Sequence, residues 1–350
     1  MTVPARVIDL RSDTVTLPTP AMREAMVRAV VGDDVMGEDP TVKELETYAA
    51  SLFGMDAALY VPSGTMANQA AIRAWCRNGD EALVVSDAHV FYYEAGSAAG
   101  LNGVQLHLVP CRNGDFDLSD FEVRIRPASD PHFPLTRLFW IENTHNRGGG
   151  TIVPLVKMRQ LHALGRRMNI PVHVDGARLA NASVATGIPL DEWAAHCDSL
   201  SLCLSKGLGA PVGSILAGSG EFITRCRRAR KALGGGMRQA GIIAAAGLYA
   251  LQNNIERLAV DHRRAQELAA MLRSVPGYSV PDRVDTNILM VDLDPSVPID
   301  AAELQRRLER HGVKLYSVKP RRVRAVFHLN LEDDAVDIAA HAFKEALKNG

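Results

Sequence analysis

The sequence has little cysteine, little aromatic content and almost no net charge, and each shortage excludes a class of protein. Its 350 residues include five cysteines, which are widely scattered and form no CxxC pair. This argues against a disulfide framework and against a zinc site, and we expect no bound metal. The formal net charge is −1, so the chain exerts no long-range attraction on polyanions. Nucleic acid and membrane surfaces are therefore poor candidate partners.

Long apolar runs and a dinucleotide fingerprint are also missing. The longest weakly polar stretch, Gly241 to Leu251, is too short to span a bilayer, and the segment Met1 to Arg6 lacks the apolar core of a signal peptide. We therefore expect a cytoplasmic protein in which most cysteines are buried small hydrophobic residues. The glycines of 207–213 and 234–236 do not form GxGxxG between a strand and a helix, which disfavours a dinucleotide fold.

The sequence does contain strands and helices in alternation. Strand patterns occur at 57–61, 82–86, 105–110, 138–142, 170–175, 199–203 and 214–217, and helical patterns at 65–75 and 155–168. This alternation predicts an α/β fold with a mostly parallel sheet sandwiched by helices, and a ligand crevice at the carboxyl ends of the strands. After helical patterns at 242–272, a mixed pattern predicts a smaller α+β domain. We expect an N-terminal segment (1–20), a large domain (21–255) and a small C-terminal domain (256–350).

Two of the predicted strand ends carry an amine and a carboxylate. The strand at 199–203 leads Lys206 into a glycine-rich bend, and the strand at 170–175 ends in Asp175. A pyridoxal phosphate enzyme needs this pair, because the lysine forms a Schiff base with the cofactor aldehyde and the aspartate keeps the pyridine nitrogen protonated. The sequence therefore predicts that Lys206 and Asp175 share one crevice.

Other residues at strand ends could hold the remaining parts of that cofactor. Ser63, Gly64 and Thr65 stand where a strand gives way to a helix, so free amides and two hydroxyls could face a phosphate. An isolated Ser-Gly-Thr is more often an ordinary helix cap. His89 and His145 also follow strands, which favours them over the other histidines as site residues, and the His89 ring could stack on the cofactor.

Several motifs occur in a defined order along the chain. They are Asp9–Thr16, Gly32–Val35, Gly37–Pro40, Val61–Met66, Glu142–Asn146, Asp175–Arg178, Ser205–Gly213 and Gly234–Gln239. Together they resemble the low-specificity L-threonine aldolases, which are pyridoxal phosphate enzymes of the aspartate aminotransferase fold, fold type I. The resemblance extends over nearly the whole chain and is strongest from Ile8 to Ala240.

The resemblance implies a role for each of ten residues. For the cofactor, it implies covalent attachment to Lys206, pairing of the pyridine nitrogen with Asp175, stacking on His89, and phosphate binding by Gly64 and Thr65. For the substrate carboxylate, it implies Ser12, Arg178 and Arg324, with Arg178 also near the phenolic oxygen of the cofactor. It further implies a homotetramer in which Lys231 and Arg238 approach the cofactor of a neighbouring subunit.

The implied reaction is cleavage of β-hydroxy-α-amino acids, such as L-threonine and L-allo-threonine, to glycine and an aldehyde. His89 or His145, directly or through water, would take the β-hydroxyl proton, and the sequence does not choose between them. A fixed carboxylate fixes rotation about Cα and so selects which bond breaks. Another pyridoxal phosphate reaction, β-elimination or amino transfer, would use the same lysine and aspartate. A non-catalytic cofactor-binding protein is the alternative from a different class.

Two positions depart from the family pattern. Met36 stands where the family usually has a tyrosine, and Phe327 stands in a segment that usually ends in threonine-histidine. Arg321 and Arg322 lie close to Arg324 in sequence, which leaves the register of the carboxylate clamp open. These differences bear on substrate preference more than on the class of reaction.

Overall fold

The computed structural model describes residues 7–348. The expectation about Met1 to Arg6, and the outer ends of the first and last predicted domains, lie outside these residues. The described strands are β1 (Ile8–Asp9), β2 (Ala57–Val61), β3 (Glu81–Val85), β4 (Gln105–Val109), β5 (Thr136–Glu142), β6 (Val172–Asp175), β7 (Ser199–Cys203), β8 (Ser214–Gly218), β9 (Tyr278–Ser279), β10 (Ile288–Leu293), β11 (Val313–Lys314), β12 (Tyr316–Lys319) and β13 (Arg322–Val326).

Helices alternate with the strands through most of the chain. The described α-helices are α1 (Pro20–Val27), α2 (Pro40–Phe53), α3 (Gly64–Trp75), α4 (His89–Tyr92), α5 (Ser97–Asn102), α6 (Leu118–Glu122), α7 (Leu155–Met168), α8 (Leu179–Thr186), α9 (Leu190–Ala194), α10 (Gly220–Ala232), α11 (Gly241–Asn253), α12 (Leu258–Arg273), α13 (Ala301–Arg310) and α14 (Ala335–Ala346). Short 3-10 helices span Asp13–Val15 and Asp34–Met36. No helix within residues 7–348 is both long and apolar enough to cross a membrane.

The main sheet is mostly parallel and has helices on its faces, as the alternation predicts. Its seven strands run in the order β2-β8-β7-β6-β5-β3-β4. The neighbours from β7 through to β4 are parallel, whereas β8 is antiparallel to both β7 and β2. Residues 204–213 join β7 to β8 without a helix, and so short a connection cannot return the chain for parallel pairing.

The central strands of this sheet are buried on both faces. Every residue of β3, β6, β7 and β8 is buried, as expected for a sheet covered by helices on both sides. The large side chains of Phe139 and Trp140 on β5 are fully enclosed. The carboxyl ends of β5, β6 and β7 therefore lie side by side at one edge of a rigid layer.

A second, smaller unit has its own sheet and its own hydrophobic core, which confirms the predicted α+β region. Its antiparallel strands run in the order β12-β13-β10-β9. The core of this unit includes Leu289, Val323 and Phe327 and also Ile8 and Leu10 from the chain start. β1 pairs with β11 in parallel, so Ile8 and Asp9 pack with this unit. The domain boundaries near residues 20 and 256 stay predictions.

Candidate active site

Lys206 and Asp175 lie at the ends of neighbouring parallel strands. β6 ends at Asp175, whose register partner on β7 is Ser201. The chain then leaves β7 and bends at Lys206, whose backbone carbonyl accepts a hydrogen bond from the Thr16 hydroxyl over 3.0 Å. Within residues 7–348, no hydrogen bond or ion pair engages the Lys206 amine. The structure thus brings together the two residues that the sequence predicts to share a crevice, and leaves the amine free.

The Asp175 carboxylate is buried and held by two donors. One oxygen accepts from the Asn68 side-chain amide over 2.8 Å, and the other accepts from the backbone N–H of Ala177 over 3.1 Å. Asn68 lies on α3, whose first turn carries the candidate phosphate residues. These bonds fix the carboxylate in one orientation at the strand end, which suits it to hold a protonated ring nitrogen.

Arg178 is buried and its guanidinium is engaged by Asp13. Nε and Nη2 of Arg178 donate to the two carboxylate oxygens of Asp13 over 2.8 and 2.7 Å. Asn287 adds a third donor to Asp13 over 3.3 Å. Burial alone would raise the pKa of Asp13, but the Arg178 guanidinium outweighs burial and lowers it to about 2. Two of the donor nitrogens that the resemblance assigns to a substrate carboxylate are therefore already occupied.

Arg324, in contrast, has no carboxylate partner in the described part of the chain. Its terminal nitrogens donate to the Asn146 side-chain oxygen over 3.1 Å and to the backbone carbonyl of Arg11 over 3.3 Å, while Nε is buried without a partner. Burial, helped by the nearby Arg178 charge, lowers the pKa of Arg324. A desolvated guanidinium with a vacant donor is suited to bind an anion that comes from outside the protein.

Arg322 and Arg321, the arginines next to Arg324 in sequence, are bound to other groups. This leaves Arg324 as the candidate for the substrate carboxylate. Arg322 forms a two-point ion pair with Asp292 over 2.6 and 2.7 Å, and Arg321 donates to backbone carbonyls of the preceding loop, including that of Ile299. The charge of Arg322 is thus already neutralised by a carboxylate, and Arg321 is held by backbone carbonyls. A cavity of about 60 Å³ adjoins Arg324 and is also lined by Tyr93, His145, Arg147 and Met290.

Ser12 lies next to Asp13 in a half-buried position. Its hydroxyl caps the 3-10 helix and accepts from the Thr14 backbone N–H over 3.2 Å and from the Thr14 hydroxyl over 2.9 Å. The flanking residues contact the two arginines of the site, since Asp13 binds Arg178 and the Arg11 carbonyl accepts from Arg324. Ser12 therefore lies on the segment that passes between these arginines.

The first turn of α3 faces the same edge of the sheet. Ser63 is the helix cap and its hydroxyl accepts from the Met66 backbone N–H over 3.1 Å, so the ordinary capping role that the sequence allows is present. Among the described residues, the amides of Gly64 and Thr65 have no hydrogen-bond partner. A Cβ atom on Gly64 would lie 2.8 Å from the Cys203 sulfur, so only glycine lets this turn pack so closely on β7. Two free amides at a helix start form an anion site.

His89 begins α4 and is anchored at two points. Its backbone N–H donates to Glu142 at the end of β5, and its ring Nδ1 lies 2.8 Å from the buried carboxylate of Glu94. Burial would lower the pKa of His89, but the hydrogen bond to Glu94 and the charges of Glu94 and Asp175 raise it, while Lys206 opposes them. His89 therefore shares the crevice with both Lys206 and Asp175.

His145 is 1% exposed and its ring is fixed by the loop that follows β5. Nδ1 accepts from the Gly148 backbone N–H over 3.1 Å, and Nε2 has no hydrogen-bond partner in the described chain. Burial would lower the pKa of His145, but the Cys111 thiol and the Glu142 carboxylate raise it. Cys111 is half-buried, whereas the other four cysteines are buried, so the expectation about cysteine holds for all but one of them.

Lys231 and Arg238 lie at the protein surface, away from these groups. Arg238 is 61% exposed and pairs with Asp33 over 2.8 Å. Within residues 7–348, no hydrogen bond or ion pair joins either residue to Lys206, Asp175 or His89. Met36 is also exposed on this face. The structure thus does not bring Lys231 and Arg238 to the other predicted site residues within one chain.

The side chains at the sheet edge fit pyridoxal phosphate. They supply a free amine at Lys206, a fixed carboxylate at Asp175, a flat ring at His89 and an anion site at the start of α3. The ligand atoms of His89, Glu94 and Asp175 lie within 4.8 Å of one another, but hydrogen bonds already join His89 to Glu94 and link both carboxylates through Asn68. The expected absence of a metal stays a prediction.

Three residues of the site have no role in the sequence-based prediction. Asp13 neutralises Arg178, Asn68 orients Asp175, and Glu94 binds His89. Asp13 stands within a motif that carries the resemblance and Asn68 two residues beyond another, but nothing local shows their partners, which are 165 and 107 residues away. For Glu94, the spacing of five residues from His89 is a signal that the sequence offers.

Comparison with known proteins agrees with this geometry. The family model described as beta-eliminating lyase matches residues 9–296. The low specificity L-threonine aldolase of Escherichia coli strain K12 is 45% identical, over 95% of this chain and 98% of that protein, and low-specificity L-threonine aldolase 1 of Arabidopsis thaliana is 41% identical, over 98% and 97%.

Among solved structures, the Leishmania major threonine aldolase matches with a TM-score of 0.85 at 18% identity, over 97% of this chain and 99% of that one. At that identity the match shows the fold alone. The family model and the two relatives cover most of the chain and agree with each other. The chain therefore belongs to the beta-eliminating lyase family and, within it, to the low-specificity L-threonine aldolases, a pyridoxal phosphate-dependent family of carbon–carbon lyases.

Proposed function

We propose that this enzyme cleaves L-threonine, L-allo-threonine and related β-hydroxy-α-amino acids to glycine and an aldehyde at the crevice beside Lys206. One observation carries the proposal: the half-buried Arg324 side chain, whose Nε is buried without a partner and which pairs with no carboxylate among the described residues, lies beside the Asp13–Arg178 pair. Asp13 in turn feels the charge of Lys206. An α-carboxylate bound to Arg324 would thus hold the substrate next to the reactive amine.

Lys206 and Asp175 would hold pyridoxal phosphate, and once the substrate amine had replaced Lys206 on it, the group would supply a sink for the electron pair of the breaking Cα–Cβ bond. The protein's own groups do the rest. Arg324 binds the α-carboxylate and so fixes rotation about Cα, which decides the bond that aligns for cleavage. Ser12, on the segment between the two arginines, adds a hydroxyl at the carboxylate. The 60 Å³ cavity beside Arg324 provides space for the β-substituent.

Arg178 has a different role in this proposal from the one that the resemblance implies. Asp13 accepts from Nε and Nη2 of Arg178 and neutralises its charge, so only the other edge of that guanidinium is left for a further acceptor. Arg178 can still offer its remaining nitrogen to the phenolic oxygen of the cofactor or to one substrate oxygen. We therefore assign the main carboxylate contact to Arg324.

The reaction class is tested by product analysis. Purified enzyme with pyridoxal phosphate is incubated with L-threonine and with L-allo-threonine, and acetaldehyde and glycine are measured, with Lys206→Ala as the negative control. Equal amounts of glycine and acetaldehyde support the proposal. Because the matching family model is described as beta-eliminating lyase, 2-oxo acid and ammonia are measured in parallel. If only these appear, the enzyme catalyses elimination and the proposal is wrong.

We also propose a homotetramer, a cytoplasmic location and the two-domain division at residue 256. Within residues 7–348, Lys231 and Arg238 form no hydrogen bond or ion pair with the other predicted site residues, which supports a role at a neighbouring subunit. Phe91, Tyr92 and Tyr93 are 40–52% exposed beside that site, and exposed aromatic residues are enriched at protein interfaces.

The five free cysteines fit a reducing compartment, which supports the cytoplasmic location. The separate hydrophobic cores support two domains.

A further inference from the structure

The two candidate bases differ in which ring nitrogen is already engaged. At His145, Nδ1 accepts a hydrogen bond from the Gly148 backbone N–H. A ring nitrogen that accepts a hydrogen bond carries no proton, so the neutral His145 ring has its proton on Nε2. Neutral His145 can therefore donate from Nε2. It cannot accept a proton at Nδ1 without losing the bond to Gly148.

At His89 the arrangement is reversed. Nδ1 faces Glu94 Oε1 over 2.8 Å, and an ionised carboxylate only accepts hydrogen bonds, so Nδ1 must carry the proton. The neutral His89 ring then has its lone pair on Nε2. The side chain of Glu94 is fully buried while that of His89 is 33% exposed, so the exposed edge of the ring is the one that carries Nε2. His89 thus presents a proton-accepting atom to the crevice.

Glu94 is itself held so that it can fix this ring. Its Oε1 also accepts from the Asn68 amide over 2.7 Å, and its Oε2 accepts from the Gln69 amide over 2.7 Å. Asn102 in turn donates to the side-chain oxygen of Gln69 over 2.8 Å. Because both amide groups donate into the carboxylate, its oxygens are satisfied as acceptors and its position is rigid.

We propose that Glu94 is a positioning residue that keeps Nδ1 of His89 protonated, so that His89 takes the β-hydroxyl proton at Nε2 and His145 acts only as a donor. This rests on the proposed aldol cleavage and deepens it. The hydroxyl proton moves to Nε2 of His89 as the oxygen forms the aldehyde C=O bond and the Cα–Cβ bond breaks. Pyridoxal phosphate, held at Asp175, would supply the sink for that electron pair until Cα takes up a proton and glycine forms. Glu94 compensates the positive charge that the His89 ring gains.

The charged groups that face His89 set the expected pH dependence. Glu94 and Asp175 favour the protonated ring, Lys206 disfavours it, and burial also disfavours it, with a net rise in the pKa of His89. Glu142 binds the backbone amide of His89. Since the base must be neutral, kcat/KM should fall on the acid side with a midpoint above the ordinary histidine value.

The first test reads the tautomers directly and needs no activity. The cofactor-free protein is labelled with ¹⁵N-histidine, and the ring resonances are assigned with His89→Asn and His145→Asn. Above their pKa values, His89 should show a proton on Nδ1 and His145 a proton on Nε2. The opposite tautomer at His89 would overturn the proposal, whatever the enzyme does with threonine.

The second test uses Glu94→Gln with Glu81→Gln as a matched control. Glu81 is also a buried glutamate beside a histidine, His107 at 3.3 Å, but it is the first residue of β3, at the opposite end of the strands from the site. For Glu94→Gln we expect a lower pKa of His89, an acid limb of kcat/KM moved to lower pH, and kcat reduced about 100-fold. KM and the cofactor Kd should stay within about threefold.

The Glu81→Gln control distinguishes the loss of His89 positioning from a general loss of structure caused by removing a buried glutamate. Glu81→Gln should leave the pKa of His89 and the pH profile unchanged. An unchanged pH profile in Glu94→Gln, or the same loss in both variants, would contradict the proposal. If the wild-type enzyme releases no aldehyde from threonine, the proposed function fails, while the tautomer measurement still decides the role of Glu94.

Discussion

At the scale of single residues, the arginines of the site are separated by which of them has a carboxylate partner. Arg178 is paired with Asp13, Arg322 with Asp292 and Arg147 with Asp87. Arg324 has only neutral acceptors among the described residues, and its Nε is buried without a bond. Because a partly desolvated charge without a counter-ion costs free energy, Arg324 is a cation that an anionic substrate can neutralise.

Replacing Arg324 should therefore damage substrate binding far more than replacing its neighbour. We expect Arg324→Gln to raise KM for threonine at least tenfold and to lower kcat/KM about 100-fold, because a charge-assisted contact with the substrate carboxylate is lost. Arg322→Gln, two residues away on the same strand, removes a pair with Asp292 and should change KM less than threefold. Steady-state kinetics of both variants checks this, and equal effects would refute the assignment.

The Asp13–Arg178 pair should be visible in the pH dependence of stability. The pKa of Asp13 is lowered from 3.8 to about 2, so the stabilisation it provides is complete above about pH 4 and is lost as pH falls toward 2. Asp13→Asn leaves Arg178 buried without a carboxylate, which should cost about 3–5 kcal/mol at neutral pH. Urea unfolding of both proteins from pH 7 downward measures the difference, which should shrink below pH 4. A constant difference would contradict the assigned pair.

What the sequence could predict at this scale depends on how local the signal is. Lys206 and Asp175 each end an apolar strand, and strand ends converge in a parallel sheet, so their meeting could be predicted from pattern alone. The ion pair between Arg178 and Asp13 could not be predicted in this way, because Asp13 lies 165 residues earlier in the chain. The choice between His89 and His145 needs the hydrogen bonds of their rings to Glu94 and Gly148. The short spacing of Glu94 from His89 suggests that contact, but it does not show which ring nitrogen is engaged.

At the scale of secondary structure, two neighbouring residues at the start of α3 have different roles: one caps the helix and the other allows it to approach β7 closely. Ser63 caps the helix, and the lack of a side chain on Gly64 lets the first turn approach Cys203 at the end of β7. The sequence predicts this helix and its place after β2 correctly, since the strand, the cap and the apolar periodicity are all local. It does not show that the turn packs on β7, because β7 lies more than 130 residues further along the chain.

Gly64→Ala is the sharpest test of this element, and Gly220→Ala is its control. Both glycines are the first residue of a helix capped by a serine, but a Cβ on Gly220 meets nothing within 4 Å, whereas one on Gly64 lies 2.8 Å from the Cys203 sulfur. We expect Gly64→Ala to weaken pyridoxal phosphate binding at least tenfold in a spectroscopic titration, since the free amides must move. Gly220→Ala should bind normally and be as stable or slightly more stable. If Gly64→Ala binds pyridoxal phosphate normally, the cofactor site does not require this close packing of α3 on β7.

At the scale of the whole molecule, the smaller unit contributes to the site as well as to the fold. Arg324 comes from β13, and Asn287 donates to Asp13 over 3.3 Å. The chain start pairs with β11 before it reaches Ser12 and Asp13, so it connects the second core to the crevice. Alternation of strands and helices predicts the large sheet, whereas the pairing of the first strand with one some 300 residues later has no local signature.

The position of Arg238 leads to a prediction about the assembly. Its guanidinium pairs with Asp33 at the surface, and if it serves the site of a neighbouring subunit, each site needs groups from two chains. Lys206→Ala and Arg238→Ala should then each be nearly inactive alone, but a mixture that is unfolded and refolded together should recover part of the activity. Recovery arises because a hybrid oligomer holds one site with Lys206 from one chain and Arg238 from the other. If Arg238 serves its own chain, every site in the hybrid lacks one group and no activity returns. Light scattering of the wild-type enzyme, with a mass of four chains expected, shows whether such hybrids can form.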